Sequence, residues 1–230
     1  MARAYAAPGM HLFLGDLNPD RIEVLTAACR ALGATVDSRM VDVTDRRGMA
    51  SWIEGADARQ PLDLAISLAG ISHGSARREE TVDQVRAVFA VNLDGMLNTI
   101  EPALALMRKR RRGQIALMSS QAGCRGFPEA PSYCATKAAI RVYAEGLRAR
   151  LLRENIGVTV IIPGFVKSTM TDANPYPMPF LISAERAAQI IKRGLARNKP
   201  RLNFPQPIPT ATYLLSLLPP SWVDRFITLK

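Results

Sequence analysis

Short, predominantly apolar runs alternate along this chain with longer segments in which apolar residues recur every three or four positions. Strand candidates fall at 11–15, 35–41, 62–68, 114–118, 158–162 and near 202–204. Helical patterns separate them, at 2–7, 19–32, 44–52, 81–107, 132–153 and 183–195, with a helical tail at the end. Strands alternating with helices imply parallel pairing, because each connection must cross back over the sheet. Strands that are apolar throughout, and not at every second position, imply a sheet covered on both faces. The pattern predicts an α/β protein with a doubly wound, Rossmann-like parallel sheet. No linker or repeat divides the 230 residues, so one domain over 1–230 is expected.

Local signals support these boundaries. Asn18-Pro19 supplies an N-cap and a proline at the first helical position. Ile22, Leu25, Ala28, Cys29 and Leu32 then follow at helical spacing until Gly33. Thr44 reads as the cap of a helix through Trp52, and Ser183 as the cap of one through Leu195. Within 132–153, Ile140, Tyr143, Leu147 and Leu151 share one face.

Composition narrows the class. With 48% hydrophobic and 22% charged residues, the chain is neither disordered, collagen-like nor disulfide-stapled. Cys29, Cys124 and Cys134 are scattered, no CxxC occurs, and there are only two histidines, which argues against a zinc site. Reduced thiols in a cytoplasmic protein are expected. Residues 202–223 carry no charge, but Pro205, Pro207, Pro209, Pro219 and Pro220 break the stretch, so no membrane span is expected. The net charge of +10 permits an acidic partner without demanding one. Its densest cluster, Arg108 to Arg112, ends a helix, where cations complement the dipole. A nucleic-acid site is the alternative reading, without interleaved aromatics to support it.

The sharpest chemical feature is Tyr133-Cys134-Ala135-Thr136-Lys137. Tyrosine and lysine four apart share a helix face. An ammonium beside a phenol favours the phenolate, so Lys137 is expected to lower the Tyr133 pKa and make it a usable acid or base. Alone, the spacing also fits an ordinary surface pair. Around it, Ser119-Ser120 ends one strand, Ala69-Gly70 another and Pro163-Gly164 a third. Ligands of open α/β sheets bind at that carboxyl edge. Asn92 lies within a helix despite poor propensity, so it is either exposed or its amide has a task.

In combination, Ala69-Gly70, Asn92, Ser120, Tyr133, Lys137 and Pro163-Gly164 resemble the short-chain dehydrogenase/reductase family, over nearly the whole chain. The resemblance implies a nicotinamide-dependent oxidoreductase that interconverts an alcohol and a carbonyl. Its Asn-Ser-Tyr-Lys tetrad falls on Asn92, Ser120, Tyr133 and Lys137. Tyr133 would exchange the proton with a small-molecule substrate and Ser120 would hydrogen-bond the substrate oxygen. Lys137 would hold the nicotinamide ribose, and Asn92 a relay water. Asp16, after the first strand, would accept from the adenosine ribose and favour NAD over NADP; it also reads as a plain turn residue. Asp42 and Val43 resemble the adenine contact, with a solvated loop acid as the alternative for Asp42. Val166 and Ser168 resemble the segment holding the nicotinamide carboxamide. Met170 to Phe180 resembles the substrate-covering segment. His73, at the ligand edge, reads as substrate contact or solvated loop. The long helices at 81–107 and 132–153 resemble the pair through which family members form homo-oligomers.

Two departures stand out. The family's first strand and Gly-rich turn, TGxxxGxG, are not present in these residues; Gly9, Gly15 and Gly33 do not fit that spacing. The chain reads as starting inside the helix after that turn, as a truncated version of a longer enzyme would. Strands 11–15 and 62–68 should then face each other without the strand that normally pairs with both, and either close together or leave a gap filled by something else. The pyrophosphate cradle is lost with the turn, so impaired NAD binding is expected, and a non-catalytic scaffold is the alternative function. The second departure is Leu68, where the family usually has asparagine before Ala-Gly.

Overall fold

The computed structural model describes residues 1–73, 79–172, 177–219 and 221–222. All strand pairs are parallel, as expected for this fold, but the strands form two sheets. Strands β1 (His11–Asp16) and β2 (Thr35–Met40) make one. Strands β3 (Leu64–Ser67), β4 (Gly113–Met118), β5 (Ile156–Pro163) and β6 (Arg201–Phe204) make the other, in that order. Among the described residues, no strand hydrogen bond joins β1 to β3.

Side chains span the gap instead. On one face lies α1 (Ala2–Tyr5), shorter than its apolar pattern suggested. Its Ala2, with Ala6 just beyond it, packs on the β1–β2 unit beside Cys29 and Val36. Its Tyr5, with Met1, packs on the larger sheet near Ile66 and Ala116. Lys192 fixes the helix by donating to Ala4 O at 2.7 Å, with its ammonium 5.3 Å from the Tyr5 ring. On the other face, α3 (Arg46–Arg59) brings Met49, Trp52 and Ile53 into the main core, where Phe13, Val41 and Val43 of the smaller unit join them. Phe13 meets Trp52 edge-on, with centroids 6.2 Å apart. Of the two outcomes expected for the sheet, the gap bridged by other elements is the one found.

Helices α2 (Pro19–Ala31) and α8 (Ala184–Ala196) start at Asn18 and Ser183, as their capping residues suggested. The start of α3 differs: Asp45, not Thr44, accepts from Arg47 N and Gly48 N. Thr44 is drawn away because its amide and hydroxyl both donate to Asp42 Oδ1, each at 2.8 Å. The helix expected over 81–107 is three pieces: α4 (Val82–Phe89), a π-helical turn (Ala90–Asp94) and α5 (Gly95–Arg110). Thr81 and Gln84 form a capping box at its start. Helix α6 (Pro131–Leu151) crosses from β4 to β5 and buries Ile140, Ala144, Leu147 and Leu151. A short α7 (Thr169–Asp172) and the terminal α9 (Ile208–Leu217) complete the described helices.

Candidate active site at the carboxyl edge

Because every strand runs the same way, Asp16, Ser67, Met118, Pro163 and Phe204 all end at one edge. Two close contacts place the Ser120 loop against α6. Ser119, buried, donates from Oγ to Lys137 O at 2.7 Å. Gly123 packs so tightly that a Cβ there would lie 2.6 Å from the Lys137 carbonyl carbon. Only glycine lets the loop approach the helix backbone this closely. Ser120 then caps the short turn Gln121–Gly123, accepting from Ala122 N at 3.2 Å, and its hydroxyl lies near enough to the Tyr133 phenol to pull the phenol pKa down.

The Lys137 side chain turns inward. It is 3% exposed, its Nζ donates to Met118 O at 2.9 Å, and the ammonium sits 5.4 Å from the Tyr133 ring centroid. Burial lowers its pKa to about 8. The Tyr133 phenol is also displaced, but upward: burial dominates, against an opposing pull from the Ser120 hydroxyl. The lowering of Tyr133 by Lys137 expected from the spacing is therefore not observed. Removal of the phenol from water sets the direction; the lysine stands over the ring and donates to the Met118 carbonyl.

Asn92 is fully buried in the π-helical turn, so of the two readings its amide has a task. Its Oδ1 accepts from Ile71 N at 2.8 Å, and its Nδ2 donates to Ile71 O at 3.1 Å and Thr136 Oγ1 at 3.0 Å. The π turn supplies the extra backbone reach that brings this amide across to the loop after β3. Between them lies Gly70: a Cβ there would stand 3.2 Å from both Asn92 Oδ1 and Lys137 Nζ. Lys137 has three N–H donors and one acceptor among the described residues. The lack of a side chain at Gly70 leaves the Lys137 ammonium uncrowded, and its spare donors suit a ligand bearing hydroxyl groups.

The other anticipated residues line the same edge. Asp16 accepts through Oδ1 from Asn18 N at 2.9 Å and from Arg21 at 2.7 Å. Burial pushes its pKa up, but Arg21 and the backbone N–H groups outweigh it and hold the carboxyl below its ordinary value. Asp42 is exposed, held by Thr44, and Val43 O accepts from Asn98 at 2.9 Å. Leu68 is exposed, and Ala69 and Gly70 follow at the end of β3. Gly164 N donates to Phe204 O at 2.8 Å, holding the Pro163-Gly164 turn to β6. Val166 bridges to Ile182, and Ser168 caps α7, accepting from Thr171 N at 3.3 Å. His73 is exposed. Residues 173–176 of the anticipated covering segment lie outside the described residues, as does Gly74.

Three contributors escaped the sequence reading. Glu80 accepts from Ser132 N at 3.1 Å and from Ser132 Oγ, capping α6 where Ala130 has no side chain to do so. Gln121, buried, donates to Ile162 O at 3.1 Å and accepts from Thr212 at 2.6 Å, tying the Ser120 loop to β5 and α9. Thr136 receives the Asn92 amide. Ala130-Pro131, a helix start without a capping side chain, was the one signal that a distant acceptor was needed. The arginine cluster is largely committed to internal pairs: Arg108 to Glu154, Arg110 to Asp57 and Arg112 to Asp63.

This fold, with a tyrosine, serine and buried lysine converging at the strand ends, defines the class. The short chain dehydrogenase family profile matches residues 1–177, and the chain belongs to that family. An uncharacterized oxidoreductase of Myxococcus xanthus is 31% identical over 215 residues, spanning 93% of this chain and 85% of that protein. Among solved structures, an actinorhodin polyketide ketoreductase with NADPH superposes with a TM-score of 0.78 at 21% identity, covering 88% of each chain. An NAD+-bound xylitol dehydrogenase gives 0.68 at 23% identity, covering 74% of this chain and 67% of that one. The chain is thus a short-chain dehydrogenase/reductase, an oxidoreductase by family. Among the described residues, no helix is long and apolar enough to cross a membrane.

Proposed function

We propose that this protein oxidises an alcohol or reduces a carbonyl on a small molecule, with Tyr133 as the proton-transferring group and NAD as the preferred cofactor. The observation that carries this reading is the buried Lys137 ammonium, which has donors to spare beside Gly70 and stands next to Tyr133 and its Ser120 partner. A bound nicotinamide dinucleotide supplies the hydride acceptor or donor. Lys137 holds the nicotinamide ribose hydroxyls through its free N–H groups. Tyr133 carries the proton at Oη and passes it to or from the substrate oxygen. Ser120 hydrogen-bonds that oxygen and keeps it in line with the phenol. Asn92 acts by fixing Ile71, and with it Gly70, against the site, beside the water-holding role that the family tetrad assigns to it.

Asp16 and Asp42, with Val43, take the adenosine end; Ala69, Gly70, Pro163 and Gly164 border the nicotinamide end, where Val166 and Ser168 hold the carboxamide. The Asp16 carboxylate disfavours a 2′-phosphate, and its pairing with Arg21 limits that preference. Without a TGxxxGxG turn in these residues, the pyrophosphate lacks its usual cradle and affinity is low. A homo-oligomer through α4–α5 and α6 fits the exposure of Phe89, Val142 and Tyr143 on those helices. The test of the chemistry is Tyr133→Phe, assayed at saturating NAD with the protein in excess. Phenylalanine keeps the ring and removes the transferable proton. Turnover should vanish while the circular dichroism spectrum is unchanged, and activity retained beyond a few per cent overturns the assignment.

A further inference from the structure

Helix α9 is out of character with the rest of the surface. Tyr213, Leu214, Leu217, Leu218 and Trp222 are all exposed, with Leu217 at 64% and Trp222 at 62%. Single exposed apolar residues are ordinary, but five within ten positions make a patch. No charged residue occurs between 202 and 223 to interrupt it. Yet the helix is firmly held. Arg125 donates to Leu215 O at 3.1 Å and to Leu218 O at 3.0 Å, satisfying carbonyls at the helix C-terminus that would otherwise need water. A helix end satisfied from within the protein can enter an apolar medium at little cost.

A second feature lies along β6, the strand that precedes α9 in the chain. A cavity of about 260 Å³ between α8 and β6 is lined by Arg193, Arg197, Lys199 and Arg201, with Leu202 and Phe204. Arg201 is paired with Glu145. Among the described residues, Arg193, Arg197 and Lys199 have no salt bridge. Three unneutralised cations around one cavity, in a chain of net charge +10, complement a surface of negative charge.

We propose that α9 and the basic cavity beside it form a docking face for an anionic lipid bilayer. Tyrosine, tryptophan and leucine together are the side chains that settle at the boundary between headgroups and acyl chains. Ten helical residues span about 15 Å, half the thickness of a hydrocarbon core, so the helix lies in the interface and does not cross it. The cations face phosphate headgroups. Because α9 also contacts the Ser120 loop through Thr212 and Gln121, docking would set the site at the membrane surface.

Vesicle co-sedimentation of the full chain tests this, comparing phosphatidylcholine vesicles with vesicles containing phosphatidylglycerol. Binding to the anionic vesicles is expected, weakening as salt rises. Leu214→Asp with Leu217→Asp should reduce it on the order of a hundredfold. Arg193→Glu with Arg197→Glu should reduce it roughly tenfold or more. All four side chains point away from the core or line the cavity, and unchanged thermal melting will show that the variants fold. Equal, weak sedimentation with both vesicle types overturns the proposal, as does anionic binding that neither variant diminishes. If the leucine variant instead changes the mass seen by light scattering and leaves vesicle binding intact, a second copy covers the face and the proposal fails.

Discussion

Replacing Asn92 by alanine separates a side chain that organises the site from one that merely borders it. The amide makes three hydrogen bonds in a fully buried setting, two of them to the N–H and C=O of Ile71. Alanine leaves both backbone groups without partners, and each buried group so orphaned costs about 1–3 kcal/mol. Thr136 keeps its bond to Tyr133 O, so its loss is partial. A total near 3 kcal/mol is expected, a large part of a domain stability of about 5–15 kcal/mol. In a chain of this length that lowers Tm by roughly 6–12 °C. Asn92→Asp should be no better, because it keeps the acceptor for Ile71 N but sets a second oxygen against Ile71 O. Calorimetry or urea denaturation reads the effect directly. A loss below about 1 kcal/mol for Asn92→Ala, the range of a surface substitution, would refute the structural role.

Further outcomes follow from the same site. Burial holds the folded Lys137 pKa at about 8, below its unfolded value, so the unfolded chain binds more protons between about pH 8 and 10 and wild-type stability rises with pH there. The stability advantage of Lys137→Met should therefore be largest below pH 8 and shrink by about 1.4 kcal/mol per pH unit above it; a difference independent of pH would contradict this. Calorimetric titration of the 230-residue chain with NAD should show binding weaker than micromolar, and kcat/KM, where measurable, should favour NAD over NADP; micromolar affinity, or a clear NADP preference, would overturn those readings. Light scattering should find a homo-oligomer, and a monomer across micromolar concentrations would remove the role given to α4–α5 and α6.

Much of the fold was legible because its signals are local. Asn18, Pro19 and Ser183 act within one helical turn, and the central strands β4 and β5 are largely buried and mostly apolar, whereas β2 and β6 expose polar residues that the apolar pattern did not anticipate. The candidate site residues were legible for a different reason: their order along the chain resembles a family motif. What the sequence concealed depends on contacts across the chain. Thr44 lost its capping role to Asp45 because Asp42 competes for it. Glu80 caps a helix 52 positions away, and Gln121 joins β5 to α9. The direction of the Tyr133 shift was hidden too, since a spacing of four says that a lysine is near but not how far the phenol is withdrawn from water. Asn92 showed an anomaly in propensity, but not the π turn that resolves it.

The division of the sheet separates the side proposed for adenosine from the side bearing Tyr133. Asp16 and Asp42 follow β1 and β2, whereas Gly70, Ser120 and Pro163 follow strands of the larger ladder. Opening the smaller unit therefore breaks side-chain packing through α1, Phe13 and Trp52 but no rung of the four-stranded ladder. In hydrogen exchange, amides of 11–16 and 35–40 should report a cooperative unit of their own, less protected than β4 and β5. A dinucleotide long enough to touch both carboxylates and Lys137 would be a tether between two separately opening bodies. Its binding would then slow exchange in β1 and β2, strands that carry none of the proton-transfer groups.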